Sequence, residues 1–229
     1  MFPYFGSKFN LSKRYGRPPY PIVIEPFAGS AAYSLYWGVQ KAVLVDANEI
    51  ICELWDYLIH VKESEIEKLP IKFDHINDLK LPVGARHLLG FWIAKGVATP
   101  RKSPSAWQRE WGKTFTSCNV WGNAAKYRIA RQLDGIRYWK IIQGSYEQSP
   151  DIKATWFVDP PYEKAGKTYP HCNIDYISLA LWIKTRKGKA IICENAGATW
   201  LDFKKFHTVA GTKGKHRSGV SEEVVAVLP

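Results

Sequence analysis

Apolar and polar positions change period several times along the chain, and each change marks an element. The runs "PIVIEP" (21–26) and "KAVLVDA" (41–47) are short and β-branched, and each carries an acid near its end. They predict buried strands. Between them, "GSAAYSLYWG" (29–38) has the character of a short helix. From Asn48 onward, Ile51, Leu54, Leu58 and Val61 recur at spacings of three or four. That is the stripe of an amphipathic helix, with Asn48 placed to cap its first free amides. A second long helix is predicted over 123–139, with Ile129, Leu133 and Ile136 on one face. Another is predicted over 174–186, with Ile177, Leu181 and Lys184 in register. The runs "KIIQG" (140–144), "ATWFVD" (154–159), "KAIICE" (189–194), "HTVAG" (207–211) and "EEVVAVL" (222–228) all read as strands. Strands alternating with helices imply an open α/β sheet whose ligands bind beyond the carboxyl ends of its strands.

Across residues 64–122 the alternation fails. The stretch "KGVATPRKSPSAWQREWGKTFTSCNVWG" (95–122) has no clear period, many turn formers and three Trp. Between Lys95 and Lys140 there are ten Lys or Arg against two acids, Glu110 and Asp134. The chain therefore divides into a catalytic-type domain, 1–63 with 123–229, and an insert at 64–122. A solvated surface cluster is the plain reading of such charge. Basic residues interleaved with aromatics favour nucleic acid, because phosphates need cations and bases need stacking partners.

Composition points the same way. Lys and Arg outnumber Asp and Glu by 32 to 21, for a net charge of +11, which suits a polyanionic partner. Hydrophobic residues make up 46% of the chain, ten Trp among them, enough for a sizeable core. Cys52, Cys118, Cys172 and Cys193 are far apart, and neither they nor the six His show metal-ligand spacing. No metal and no disulfide framework are expected, which suits a reducing cytoplasm. The N-terminus "MFPYFGSKFN" has no signal-peptide layout, and no apolar run approaches membrane-spanning length, so a cytoplasmic protein without a membrane partner is expected.

Three stretches carry candidate chemistry. In "VIEPFAGSAAYS" (23–34) an acid ends a strand and a glycine turn leads into a helix, the layout of a nucleotide-type loop. The next strand ends in Asp46, 21 residues after Glu25, where a doubly wound fold grips ribose hydroxyls. An adenosine derivative follows as the ligand, and the missing G-x-G-x-x-G argues against a dinucleotide. In "TWFVDPPYEK" (155–164) a buried strand ends in Asp159, Pro160, Pro161 and Tyr162. Two prolines remove two backbone donors, so a carboxylate and a freed carbonyl can both accept from one exocyclic amine. Such bonds draw the nitrogen lone pair out of conjugation and aim it, while Tyr162 offers a ring on which a flat base can stack. This is the chemistry of amino-group methylation.

With "FPYFGSK" at the N-terminus, "EPFAGS", Asp46 and "DPPY" in this order around a basic insert, the chain resembles the Dam-like family of adenine-N6 DNA methyltransferases. The resemblance covers nearly the whole chain, with weaker echoes at "NVWG" (119–122), "CENAG" (193–197) and "HRSGVSEEVV" (216–225). It implies a Rossmann-like methyltransferase fold, a mostly parallel seven-stranded sheet with a reversed C-terminal β-hairpin. It also implies S-adenosylmethionine as methyl donor and duplex DNA as partner, bound by a monomer or by a dimer on DNA. Asp159, Pro160 and Tyr162 would be catalytic. Tyr4 and Lys8 would border the cofactor, Phe27, Ala28, Gly29 and Ser30 would wrap it, and Asp46 would hold its ribose. Ser145 and Tyr146 would lie beside its adenine, with serine standing where the family has an acid. The insert would carry DNA recognition, with Arg101, Lys102, Arg109, Lys113 and Arg128 as contacts.

Two alternatives stand beside this reading. One is an RNA methyltransferase acting on a guanine amine, against which the insert and "FPYFGSK" argue. The other is an inactive DNA-binding relic of the fold, against which intact Asp159, Tyr162 and Gly29 argue. Carbon-5 cytosine methylation needs a thiolate, and no Cys sits in a Pro-Cys turn.

Overall fold

The computed structural model describes residues 1–94, 96–111, 120–164, 166–210 and 220–229. Every strand-like run of the sequence becomes a strand: β1 Ile22–Glu25, β2 Lys41–Asp46, β3 Lys140–Gln143, β4 Ala154–Val158, β5 Gly188–Asn195, β6 Lys204–Ala210 and β7 Val220–Leu228. They form one sheet in the order β3-β2-β1-β4-β5-β7-β6. The pairs among β1 to β5 are parallel, whereas β7 runs antiparallel to both β5 and β6. The protein is thus an α/β sheet of seven strands with a reversed C-terminal hairpin, the fold the resemblance implies.

The period-2 alternation of side chains sends neighbours in one strand to opposite faces. Val23, Phe157 and Ile191 enter one apolar cluster, while Ile24, Trp156 and Ile192 enter the other. Strands buried on both faces read as continuous apolar runs rather than alternating ones, and all five residues of β4 are buried.

The eight helices among the described residues are α1 Ser12–Tyr15, α2 Ala32–Trp37, α3 Glu49–His60, α4 Glu63–Lys68, α5 Val83–Trp92, α6 Ala106–Trp111, α7 Asn123–Ala130 and α8 Tyr176–Lys184. The Asn48 cap of α3 is present, its Oδ1 accepting from Ile50 N at 3.1 Å. Ile51, Leu54 and Leu58 are fully buried along its inner face.

Two helical expectations are corrected. The helix expected over 123–139 ends at Ala130 and gives way to a 3-10 turn at Asp134–Ile136. Gly135 and Asp134 favour turns over a helix interior, yet Ile129, Leu133 and Ile136 still reach the core. In α8, Ile177 and Leu181 stand outward, 73% and 63% exposed, and Leu179, Ala180 and Ile183 are the buried set. Its residues "YISLALWIK" are apolar on nearly every side, so periodicity alone does not choose the inner face.

Segment 64–122 contributes part of α4 and all of α5 and α6. Phe91 and Trp92 of α5 join Trp121 in the same apolar cluster as Leu58 of α3 and Phe2. The insert therefore packs directly on the N-terminal motif: Phe5 N donates to Val97 O at 3.2 Å, and Trp92 Nε1 to Met1 O at 3.1 Å. No helix among the described residues is long and apolar enough to cross a membrane.

Candidate active site

Strand order reverses between β1 and β4, each neighbour of which continues the sheet outward. At such a switch point the loops leave in opposite directions and open a crevice beyond the carboxyl ends. A cavity of about 540 Å³ lies there, within the usual range for a small-molecule site.

Its floor is the turn after β1. Gly29 adopts φ +45°, and a β-carbon on it would meet Tyr4 Cε1 at 3.0 Å. Ala31, at φ 45°, is the one non-glycine with positive φ among the described residues, a strained conformation of the kind found at ligand sites. The turn is held from three sides. Ala28 N donates to Val45 O at 2.9 Å, Gly29 N to Asp46 Oδ2 at 2.9 Å, and Trp55 Nε1 to Gly29 O at 2.8 Å. Asp46 also accepts from Asn48 N at 2.9 Å through its other oxygen. Burial pushes its carboxyl up, partly offset by these two amides and by His171.

Glu25, at the tip of β1, is 3% exposed and lines the same cavity. Its Oε1 accepts from Ser34 N at 2.8 Å. Burial drives the carboxyl up to about 8, against the Ser34 bonds that pull it down.

The N-terminal motif closes one wall. Lys8 is 6% exposed, and its ammonium donates to Gly6 O at 3.0 Å and pairs with Asp159 Oδ1 at 3.0 Å. The same nitrogen lies 4.8 Å from the centroid of the Tyr162 ring. Burial opposes the Lys8 charge, but the Asp159 and Glu223 carboxylates outweigh it and its pKa rises. Asp159 is pushed up by burial and pulled back by Lys8 and by the Tyr162 hydroxyl. Gly6 has φ +73°, and a β-carbon there would come within 2.2 Å of the Tyr169 hydroxyl. That hydroxyl donates to Phe5 O at 3.1 Å and ties the segment after "DPPY" to the N-terminal motif.

The Pro-Pro turn itself is fastened at three points. Tyr176 OH donates to Pro161 O at 2.5 Å, Glu163 N donates to Glu194 Oε2 at 3.2 Å, and Tyr162 OH donates to Glu223 Oε2 at 2.5 Å.

The cavity is lined by all ten residues named for the cofactor: Tyr4, Lys8, Phe27, Ala28, Gly29, Ser30, Asp46, Ser145, Tyr146 and Asp159. Pro160 and Tyr162 adjoin it without lining it, and the Lys8 ammonium covers one face of the Tyr162 ring. Ser145 is exposed and donates to Glu147 Oε2 at 3.2 Å, so an acid stands two residues beyond the position where the family has one. Tyr146 is buried, its ring 5.7 Å from Phe27 and 5.0 Å from Trp182.

The residues named for DNA lie outside this lining. Arg101 and Lys102 are exposed. Arg109 is exposed and turns its guanidinium onto Pro104 O at 2.8 Å. Arg128 is half-buried over the Trp92 ring at 5.1 Å. Lys113 lies outside the described residues. Sequence reasoning noted Glu25 at a strand end and quoted the stretches that hold Glu194 and Glu223, but gave none of the three a place in the site, and it named nothing in the span 169–175. For Glu223 there was a signal, a charge two residues from Val225 within an apolar strand. For 169–175 there was none. Among the described residues, no group of three or more His, Cys, Asp or Glu is arranged to hold a metal.

The cavity suits an adenosine-bearing cation. Glu25, Asp46, Asp159 and Asp175 give it an acceptor-rich lining, with Lys8 and His171 beside them. Phe27 and Tyr146 add apolar surface for a flat base, and the Gly29 turn lets backbone approach it closely.

No family model matches the chain, and no curated protein matches it. Among solved structures it is similar to an rRNA methyltransferase, aviRa, from Streptomyces viridochromogenes, at 13% identity and TM-score 0.47, over 99% of this chain and 86% of that one. It is also similar to yhhF from Escherichia coli, described as a candidate methyltransferase, at 10% identity and TM-score 0.39, over 98% and 89% of the two chains.

Proposed function

We propose that this protein is a DNA methyltransferase that moves a methyl group from S-adenosylmethionine to the N6 amine of an adenine turned out of duplex DNA. One observation carries the reading. Lys8 supplies a nitrogen that touches the Asp159 carboxylate at 3.0 Å while lying 4.8 Å from the Tyr162 ring centre. A nucleobase amine bonded to Asp159, with its ring on Tyr162, would need that same space.

Bound in the cavity, S-adenosylmethionine would supply an activated methyl on a sulfonium sulfur. Glu25 and Asp46 are placed to hold its cationic and hydroxyl groups, and Phe27 and Tyr146 its base. Asp159 accepts a hydrogen bond from the target amine, and Pro160 O is left as a second acceptor because Tyr176 occupies Pro161 O. Those two bonds pull the nitrogen lone pair toward the methyl carbon. As the carbon–nitrogen bond forms and the carbon–sulfur pair returns to sulfur, the nitrogen would become cationic, Asp159 would stabilise that charge, and the proton would then pass to solvent. Lys8 would have to move off the Tyr162 ring when the base enters, since its ammonium lies over the face that the base would cover.

The exposed Arg101 and Lys102 support a polyanionic partner, and the packing of the insert on the N-terminal motif links that surface to the cavity. The test is transfer of labelled methyl to unmethylated duplex DNA and to structured RNA side by side, followed by modification mapping. Label in adenine N6 of DNA alone is the expected result. Label in RNA guanine favours the other methyltransferase chemistry, and no label in either overturns the reading.

A further inference from the structure

Glu223 is a buried ionisable group that the chemistry above leaves without a role. It lies in β7 and is 8% exposed, beside Val224 and Ala226, the other residues of that strand described as buried, both apolar. Taking a carboxylate out of water is costly, and an apolar residue of similar size would pack there without that cost. Something other than packing holds it in place.

Its Oε2 accepts the Tyr162 hydroxyl proton at 2.5 Å, across 61 residues of sequence. The Lys8 ammonium covers one face of the Tyr162 ring, the ring packs against the main apolar cluster, and the backbone on either side of it is tied down. On one side Pro161 O takes the Tyr176 hydroxyl, and on the other Glu163 N is bonded to Glu194. With the backbone fixed at both neighbours, the bond at the far end of the ring adds a directional restraint on the two side-chain torsions that packing alone does not supply. Burial pushes the Glu223 carboxyl up, while Lys8 and the Tyr162 hydroxyl pull it back. Glu223, Tyr162, Lys8 and Asp159 therefore form one cluster around the aromatic ring, with Lys8 and Glu223 buried and Asp159 and Tyr162 half-buried.

We infer that Glu223 is a positioning residue for methyl transfer: by holding the Tyr162 hydroxyl it sets the plane of the ring against which the extruded base lies, and so aims the base amine at Asp159 and the donor methyl. The inference rests on the functional reading above. An anchor of this kind acts on alignment in the transition state and leaves cofactor binding untouched. It needs an acceptor oxygen rather than a charge, so glutamine serves almost as well as glutamate.

The experiment uses a duplex carrying the site found by modification mapping. It measures kcat, KM for DNA, and calorimetric S-adenosylmethionine affinity. Glu223→Leu is expected to lower kcat about tenfold, the loss of one well-placed hydrogen bond, with cofactor affinity unchanged. Glu223→Gln restores most of kcat. Tyr162→Phe falls to the same level as Glu223→Leu, and the double variant Tyr162→Phe/Glu223→Leu falls no further, because one contact is removed only once. If Glu223→Leu does not fold, the double variant, in which both partners are apolar, and Glu223→Gln make the same comparison. A Glu223→Leu kcat within about twofold of wild type, or losses that multiply in the double variant, overturns the inference alone. Wild-type protein that transfers methyl to neither DNA nor RNA overturns the functional reading, and the inference with it.

Discussion

The ammonium of Lys8 lies 3.0 Å from the carboxylate of Asp159, with 6% and 22% of the two side chains exposed. The pair joins the N-terminal Gly-Ser-Lys element to the tip of β4. A cation in that position favours ionised Asp159, and it also fills the space in which an amine would be methylated. Under the proposed function, base entry would require Lys8 to move.

Replacing Asp159 tests the centre of the chemistry. Asp159→Ala is expected to lower methyl transfer by at least about a thousandfold, since it removes the charge aimed at the transition state. Asp159→Asn keeps a trace, because shape remains and charge does not. DNA affinity, measured by fluorescence anisotropy, survives in both. Folded Asp159→Ala protein that methylates adenine near the wild-type rate would show that the Pro-Pro turn merely ends a strand.

The ion pair also predicts a pH effect. Burial raises the Asp159 pKa and Lys8 pulls it back, while transfer needs the carboxylate. Lys8→Met removes the pull, so the folded pKa rises further and more acid is left protonated at a given pH. The acidic limb of kcat/KM, which reports the free enzyme, should move to higher pH in Lys8→Met. An unmoved limb would mean that Asp159 is not the group that titrates.

Glu25 gives a second titration with a defined window. Its carboxyl is raised by burial from 4.5 to about 8, so folding favours the protonated form. That stability is fully present below 4.5 and is lost as pH rises to about 8. Thermal unfolding of the ligand-free protein should show wild-type stability falling across this range, and Glu25→Gln falling less. A cationic cofactor favours the ionised acid, so affinity should rise toward pH 8 with proton release on binding. Calorimetry in buffers of different ionisation enthalpy checks the release, which Glu25→Gln should abolish.

On the insert, Arg101 and Lys102 are exposed and can meet phosphate, whereas Arg128, in α7 beyond the insert, lies over Trp92. Arg101→Ala with Lys102→Ala is expected to weaken duplex binding and to reduce the log-log salt slope by about two units, one per phosphate contact. Cofactor affinity should not change. Arg128→Ala should instead lower the melting temperature, through loss of a packed cation–aromatic contact. If both variants lose cofactor affinity and spare DNA, the insert serves the fold rather than recognition.

All seven strands, the Asn48 cap and the Gly29 turn could be read from the chain alone, because each depends on a local pattern. A β-branched run, a side chain two residues from a free amide, and a glycine between strand and helix carry their meaning in a few residues. The same holds for Asp46 and Asp159, which stand at strand ends where an open α/β sheet exposes its ligand groups. Only the tertiary structure decided which side of α8 faces inward, since its apolar residues surround the helix and the packing of its Trp182 against Trp156 and Tyr146 makes the choice. It also decided that Tyr169 reaches Phe5 across 164 residues, and that Glu223 reaches Tyr162 across 61. No periodicity records a bond between side chains so far apart. Chain closure brings them together, and the cost of burying an unpaired carboxylate or hydroxyl keeps them there.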